Sequence, residues 1–66
     1  MWIRTSEGAM LNMDHATAIA YEPRVDRTVV VMDGKTITVS NGNTLPTITG
    51  ALRCGKSYLE VNDCER

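Results

Sequence analysis

Arg27-Thr28-Val29-Val30-Val31-Met32-Asp33-Gly34-Lys35-Thr36-Ile37-Thr38-Val39-Ser40 reads as two β-branched runs on either side of an Asp-Gly pair. Asp-Gly between such runs selects a two-residue type I′ turn, because both central residues of that turn need positive φ. The turn sets the pairing of the hairpin. Met32 faces Lys35, Val31 faces Thr36, Val30 faces Ile37, and Thr28 faces Val39. One face then carries Thr28, Val30, Met32, Ile37 and Val39 and reads as core. The other carries Val29, Val31, Thr36 and Thr38, uncharged throughout. A sheet with one wet face normally shows charge there. The expectation is a covered second face, either through barrel curvature or by another subunit.

Working outward, Trp2–Thr5 reads as a short strand, Ser6-Glu7-Gly8 as a turn and Ala9–Asn12 as a second strand. Met13–His15 suits one helical turn before a third strand at Thr17–Tyr21. Glu22-Pro23-Arg24 opens a polar connection to the hairpin, and Asn41-Gly42-Asn43 forms the turn after it. Pro46 limits Leu45–Thr49 to an edge strand at most, and Tyr58–Val61 is the last candidate strand. No stretch of a dozen residues repeats apolar positions at helical spacing. The expected fold is therefore all-β or mainly β. It is a single domain over residues 1–66, a small bent antiparallel sheet or open barrel of five to six short strands.

The chain has 66 residues, 42% of them hydrophobic and 23% charged, which is the composition of a globular domain near the lower size limit for a single core. That length excludes multidomain enzymes, doubly wound nucleotide-binding folds and barrels of eight βα units. It also favours a homo-oligomer that shares its core between subunits. Seven Lys and Arg against eight Asp and Glu leave a formal charge of −1. The basic residues are scattered among acids, which argues against binding duplex nucleic acid. No apolar run spans a bilayer and the start of the chain lacks a signal-peptide layout, so the expected compartment is the cytoplasm, with no membrane partner. Cys54 and Cys64 are expected there as reduced thiols, and with the distant His15 they make no zinc set. Neither a metal nor a cofactor is expected.

Gly50-Ala51-Leu52-Arg53-Cys54-Gly55-Lys56-Ser57 satisfies the spacing of a phosphate loop, and Val29–Asp33 matches the apolar run ending in Asp that accompanies it. A parallel βαβ frame does not fit in the residues that follow, so a nucleoside triphosphatase is not the reading. The plain reading is a glycine-rich turn with a solvated Lys and Arg; beside it a weaker version of the motif remains, a glycine-flanked loop in which Arg53, Lys56 and Ser57 hold a phosphate. Asp14-His15 is read as a turn-forming Asp that caps a short helical segment, followed by an exposed His, without a nucleophile placed beside them.

Trp2, Tyr21 and Tyr58 are the only aromatic side chains. In so small a core all three are expected as packing residues; if one or two lie instead at a subunit junction, they could stack on a base, with Arg4, Arg24 or Arg27 on its phosphate. Glu22-Pro23-Arg24-Val25-Asp26-Arg27, with its alternating charges, reads as a solvated connection; if the protein inhibits another protein, this loop is the expected contact surface.

Met1-Trp2-Ile3-Arg4-Thr5, followed by Gly8, Leu11-Asn12 and Asp14-His15-Ala16, resembles the opening of short bacterial and phage proteins of unknown function. The resemblance covers about the first 20 residues, implies a β-sheet and a mobile genetic element, and transfers no functional residue. In that setting the expected activity is non-enzymatic. A small binding protein would counter bacterial defence by sequestering a nucleotide signal at subunit interfaces. The expected contacts are Trp2, Arg4, Tyr21, Arg24, Arg27, Arg53, Lys56 and Ser57, in the host cytosol. The alternatives are a protein-directed inhibitor of one host or defence protein and a structural or assembly accessory.

Overall fold

The computed structural model describes residues 1–63. Strands take 46% of them and helical turns 19%, so the fold is mainly β. The elements run β1 (Trp2–Arg4), β2 (Met10–Asn12), a 3₁₀ turn (Met13–His15), β3 (Ala16–Glu22), β4 (Arg27–Met32), β5 (Lys35–Asn41), α1 (Leu45–Arg53) and β6 (Tyr58–Glu60). They form two three-stranded sheets, ordered β2-β1-β6 and β3-β4-β5, in place of one bent sheet or barrel. The first sheet is mixed, since β1 pairs antiparallel with β2 but parallel with β6.

The Asp-Gly hairpin forms as the sequence indicates, with Asp33 at φ 50° and Gly34 at φ 75°. Met32↔Lys35, Val31↔Thr36 and Val30↔Ile37 all pair as expected, but Thr28 pairs with Ser40 instead of Val39. Val39 is the extra residue of a bulge. The bulge lets two successive residues, Val39 and Ser40, both lie at 0% exposure. The Val39 carbonyl accepts a hydrogen bond from the Ser6 N–H at 2.9 Å and so ties the β1–β2 turn to β5.

Ile3, Leu11 and Met13 from the first sheet region meet Val30, Met32 and Val39 from the second, with Ile48 of α1 and Val61 completing the core. This is the face predicted from the hairpin. On its opposite face Val29 is buried and Val31 and Thr38 are half-buried, while Ala18, Ala20 and Thr36 are exposed. The expected cover over that face is thus not supplied by closure into a barrel.

α1 corrects the expected strand at Leu45–Thr49. Nine residues are too few to register in a dozen-residue periodicity, and Thr, Ile and Gly are weak helix formers. The helix is instead defined by its ends. Pro46 sits in its first turn, where a missing N–H costs nothing. At the other end Gly55 adopts φ 68°. Its N–H donates to the Leu52 carbonyl at 3.2 Å and the Lys56 N–H to the Ala51 carbonyl at 3.1 Å, which is a Schellman closure.

A buried polar knot launches α1 from β5. The Thr28 hydroxyl donates to the Gly42 carbonyl at 2.8 Å and accepts the Thr44 N–H at 2.9 Å. Ser40 and Thr44 share a hydroxyl–hydroxyl hydrogen bond of 2.7 Å. Thr28→Val keeps the shape but leaves the Thr44 N–H and the Gly42 carbonyl without their partner. It should cost about 1–3 kcal/mol in chemical denaturation, whereas a loss below about 0.5 kcal/mol would contradict the role given to this hydroxyl.

Asp63 fastens the chain after β6 to β5. Its carboxylate accepts the Asn41 N–H at 2.8 Å. That bond is the main cause of a pKa held below the ordinary aspartate range; the Ser6 hydroxyl adds to it, slight burial opposes it and the Asn41 side chain contributes last. A depressed folded-state pKa means the contact favours folding above the ordinary value of about 3.9. The contribution is lost as pH falls from there through the lower folded value. Carboxyl titration followed by NMR should place the Asp63 midpoint below that of an unfolded peptide, and an unshifted midpoint would remove the clamp.

Candidate functional site

Alternation along the short strands of the first sheet divides it into two faces. Ile3 at 0% exposure and Leu11 at 9% point into the core. Trp2 and Arg4 of β1 therefore share the outer face with their register partners, Asn12 and Met10 on β2 and Tyr58 and Glu60 on β6. Three of the chain's large apolar side chains stay in water there: Trp2 at 47%, Met10 at 49% and Tyr58 at 47%. Trp2 and Tyr58 are direct neighbours across the β1–β6 pair.

Backbone hydrogen bonds bracket this pairing. The Trp2 N–H donates to the Ser57 carbonyl and the Val61 N–H to the Arg4 carbonyl, each at 2.9 Å. The Arg4 guanidinium lies 4.0 Å from the Glu60 carboxylate, both about half exposed. The outer face is thus an aromatic and thioether centre with an ion pair at one end, close to charge balance.

The eight residues singled out from the sequence separate into groups. Trp2, Arg4 and Ser57 come together at the β1–β6 pair, with Ser57 contributing its backbone carbonyl. Tyr21, Arg24 and Arg27 line an open groove of about 470 Å³ at the β3–β4 connection, together with Glu22, Pro23 and Val25. The Tyr21 hydroxyl donates to the Asp26 carboxylate at 2.6 Å, and the Arg27 Nε donates to Glu22 at 2.9 Å. Arg24 is exposed and makes no ion pair among the described residues. No residue of the first group lines this groove.

Arg53 and Lys56 are exposed at the C-terminal end of α1. The phosphate cradle pictured for Arg53, Lys56 and Ser57 is not built there. Gly50–Arg53 belongs to the helix, and the amides of Cys54, Gly55 and Lys56 are spent on helix carbonyls. A helix C-terminus also carries the wrong end of the dipole for an anion. Asp33, the other half of the phosphate-loop match, sits in the hairpin turn.

Of the Asp14-His15 reading, the exposed His holds and the cap does not. Asn12, not Asp14, caps the 3₁₀ turn through its side chain, which accepts the Asp14 N–H at 3.1 Å. The Asp14 carboxylate faces the terminal ammonium of Met1 at 3.2 Å, and His15 is exposed. Among the described residues no three His, Cys, Asp or Glu side chains converge as a metal site. Cys54 is a free, exposed thiol, while its proposed relation to Cys64 lies outside the described residues. No helix among the described residues is long and apolar enough to cross a membrane.

Met10, Asn12, Tyr58 and Glu60 were absent from the sequence-derived set. The available signal was alternation: Trp2 and Arg4 flank Ile3 as Tyr58 and Glu60 flank Leu59. What could not be counted from sequence was that these two strands lie side by side. No family model matches this chain, and neither do any curated protein or solved structure.

Trp2 is the only tryptophan, so its fluorescence reports this face directly. The free chain should show the red-shifted emission of a wet indole and ready quenching by acrylamide. A blue-shifted, quencher-resistant emission would mean that the face is not open to solvent.

Proposed function

We propose that this is a non-enzymatic binding protein that engages one partner protein through the outer face of its β1–β2–β6 sheet. The observation that carries this reading is the convergence of exposed Trp2, Tyr58 and Met10, with Arg4 beside them. Aromatic residues, Met and Arg are the types enriched at protein–protein interfaces, and Trp, Tyr and Arg dominate their hot spots. Its backbone is already held in hydrogen-bonded strands, so the ordering cost of binding falls mainly on the side chains. The mobile-element setting implied by the opening residues makes the partner a host or defence protein, and the activity its inhibition.

Sequestration of a nucleotide is the second reading, favoured by Tyr21, Arg24 and Arg27 sharing one groove. A volume of about 470 Å³ falls within the range of small-molecule sites. Its electrostatics support the reading less well. Arg27 is already paired with Glu22, and that carboxylate would stand beside any bound phosphate. Arg4 likewise faces Glu60.

Paired affinity captures from a bacterial lysate test the first reading, with wild type on one bait and a Trp2→Ala, Tyr58→Ala double variant on the other. A protein retained by wild type and lost by the variant is expected. Each single substitution should weaken that complex by about 2 kcal/mol, roughly thirtyfold, while circular dichroism stays unchanged and Arg24→Ala binds normally. An identical catch on both baits overturns the proposal. Calorimetric binding of a nucleotide that Arg24→Ala abolishes would transfer the function to the groove.

A further inference from the structure

The chain guards its sheet edges unequally. In the first sheet the edge strands β2 and β6 have three residues each. In the second sheet β5 starts at Lys35, is broken by the bulge at Val39 and ends at Asn41, whose N–H is taken by Asp63. Short length, charge, bulges and covering groups are the usual protections against a second strand adding on.

β3 has few of them. It is seven residues long, Ala16–Glu22, and carries no charge or proline from Ala16 to Tyr21. Its single irregularity lies near its start, between Ala16 and Ala18, where the Thr17 hydroxyl donates to the Val31 carbonyl at 3.2 Å. From Ala18 to Glu22 the pairing with β4 is regular. α1 packs against β3, yet Thr17, Ala18 and Ala20 remain exposed.

The geometry points to a homodimer in which the β3 strands of two copies pair antiparallel about a twofold axis, joining two three-stranded sheets into one of six strands. The occupant is a second copy because the edge is complementary to itself. Centred on Ala20, the pairing sets Ala20 against Ala20, Ile19 against Tyr21 and Ala18 against Glu22. No like charges face each other, and Glu22 is already neutralised by its own Arg27 at 2.9 Å. Only small side chains meet on the exposed face at the axis. Main-chain hydrogen bonds carry such an edge addition, so it does not need the apolar area of a face-to-face interface. A chain this small also gains most from a shared sheet. The inference does not rest on the proposed partner face, which lies on the other sheet.

Light scattering after size exclusion, from low micromolar to near-millimolar chain, tests it. Wild type should reach twice the chain mass. Ala20→Lys places two ammonium groups opposite each other at the axis and should raise the dimer dissociation constant by about tenfold or more. Thr36→Lys, exposed on β5 and not on this edge, should leave the dimer intact, as should the Trp2→Ala, Tyr58→Ala double variant. A wild type that stays at single-chain mass overturns the pairing. So does an Ala20→Lys dimer as tight as wild type, or dissociation by either control. Should Ala20→Lys fail to fold, hydrogen exchange on wild type decides. The β3 amides must become more protected as concentration rises, and concentration-independent exchange overturns the proposal.

Discussion

The Thr28 hydroxyl holds together more of this molecule than its size suggests. Threonine at 0% exposure near the start of a core strand needs its oxygen satisfied, because a buried hydroxyl without partners is costly. Its partners are the Gly42 carbonyl and the Thr44 N–H, two backbone groups just beyond β5. Those bonds fold the chain under the sheet at Gly42, whose φ of 81° suits glycine, and deliver Thr44 as the residue before α1. The direction of α1, and the place where β6 must begin, follow from that departure point. Beyond α1 the chain returns to the first sheet, where backbone bonds from Trp2 to Ser57 and from Val61 to Arg4 set Tyr58 beside Trp2.

The mixed pairing of the first sheet has the same origin. Two parallel neighbours cannot be joined by a tight turn, so a crossover must separate them. Between β1 and β6 the chain inserts the whole second sheet and then α1. The Schellman closure at Gly55 stops the helix sharply enough for Ser57 to meet Trp2 within a few residues. From the other side, the bulge at Val39 supplies the carbonyl that holds Ser6. The two sheets are therefore stitched at the β1–β2 turn through the backbone of the edge strand β5.

Legibility from sequence tracked how local each feature is. The Asp33-Gly34 turn and the nearby pairs could be counted because a two-residue loop fixes the register and side chains alternate with period two. Counting failed at Val39, since nothing in the sequence announces the extra residue. The 3₁₀ turn at Met13–His15 was legible, although its cap was assigned to Asp14 when Asn12 provides it. Leu45–Arg53 was illegible through periodicity but readable through its ends, Pro46 and Gly55. In the site, Trp2 and Arg4 were recognisable as an aromatic–cation pair on one strand. Tyr58 was readable as an aromatic opening the last strand but not as the neighbour of Trp2, because the β1–β6 pairing joins opposite ends of the chain and no short-range pattern encodes it.

Charge balance then decides what kind of contact each surface favours. A phosphate is held by cations whose own carboxylate partners are absent or displaced, and displacing a partner spends part of the binding energy. Arg4 looks toward Glu60 and Arg27 toward Glu22, so the two arginines best placed beside aromatic side chains are each already opposed by an acid. A protein surface makes the opposite demand: it rewards apolar area at the centre and tolerates, or exchanges, ion pairs at the rim. Trp2, Met10 and Tyr58 supply that centre, and Arg4 with Glu60 supplies a rim that can trade partners without leaving a bare charge. The arrangement that weakens this face as an anion site is the one that supports the proposed contact with another protein.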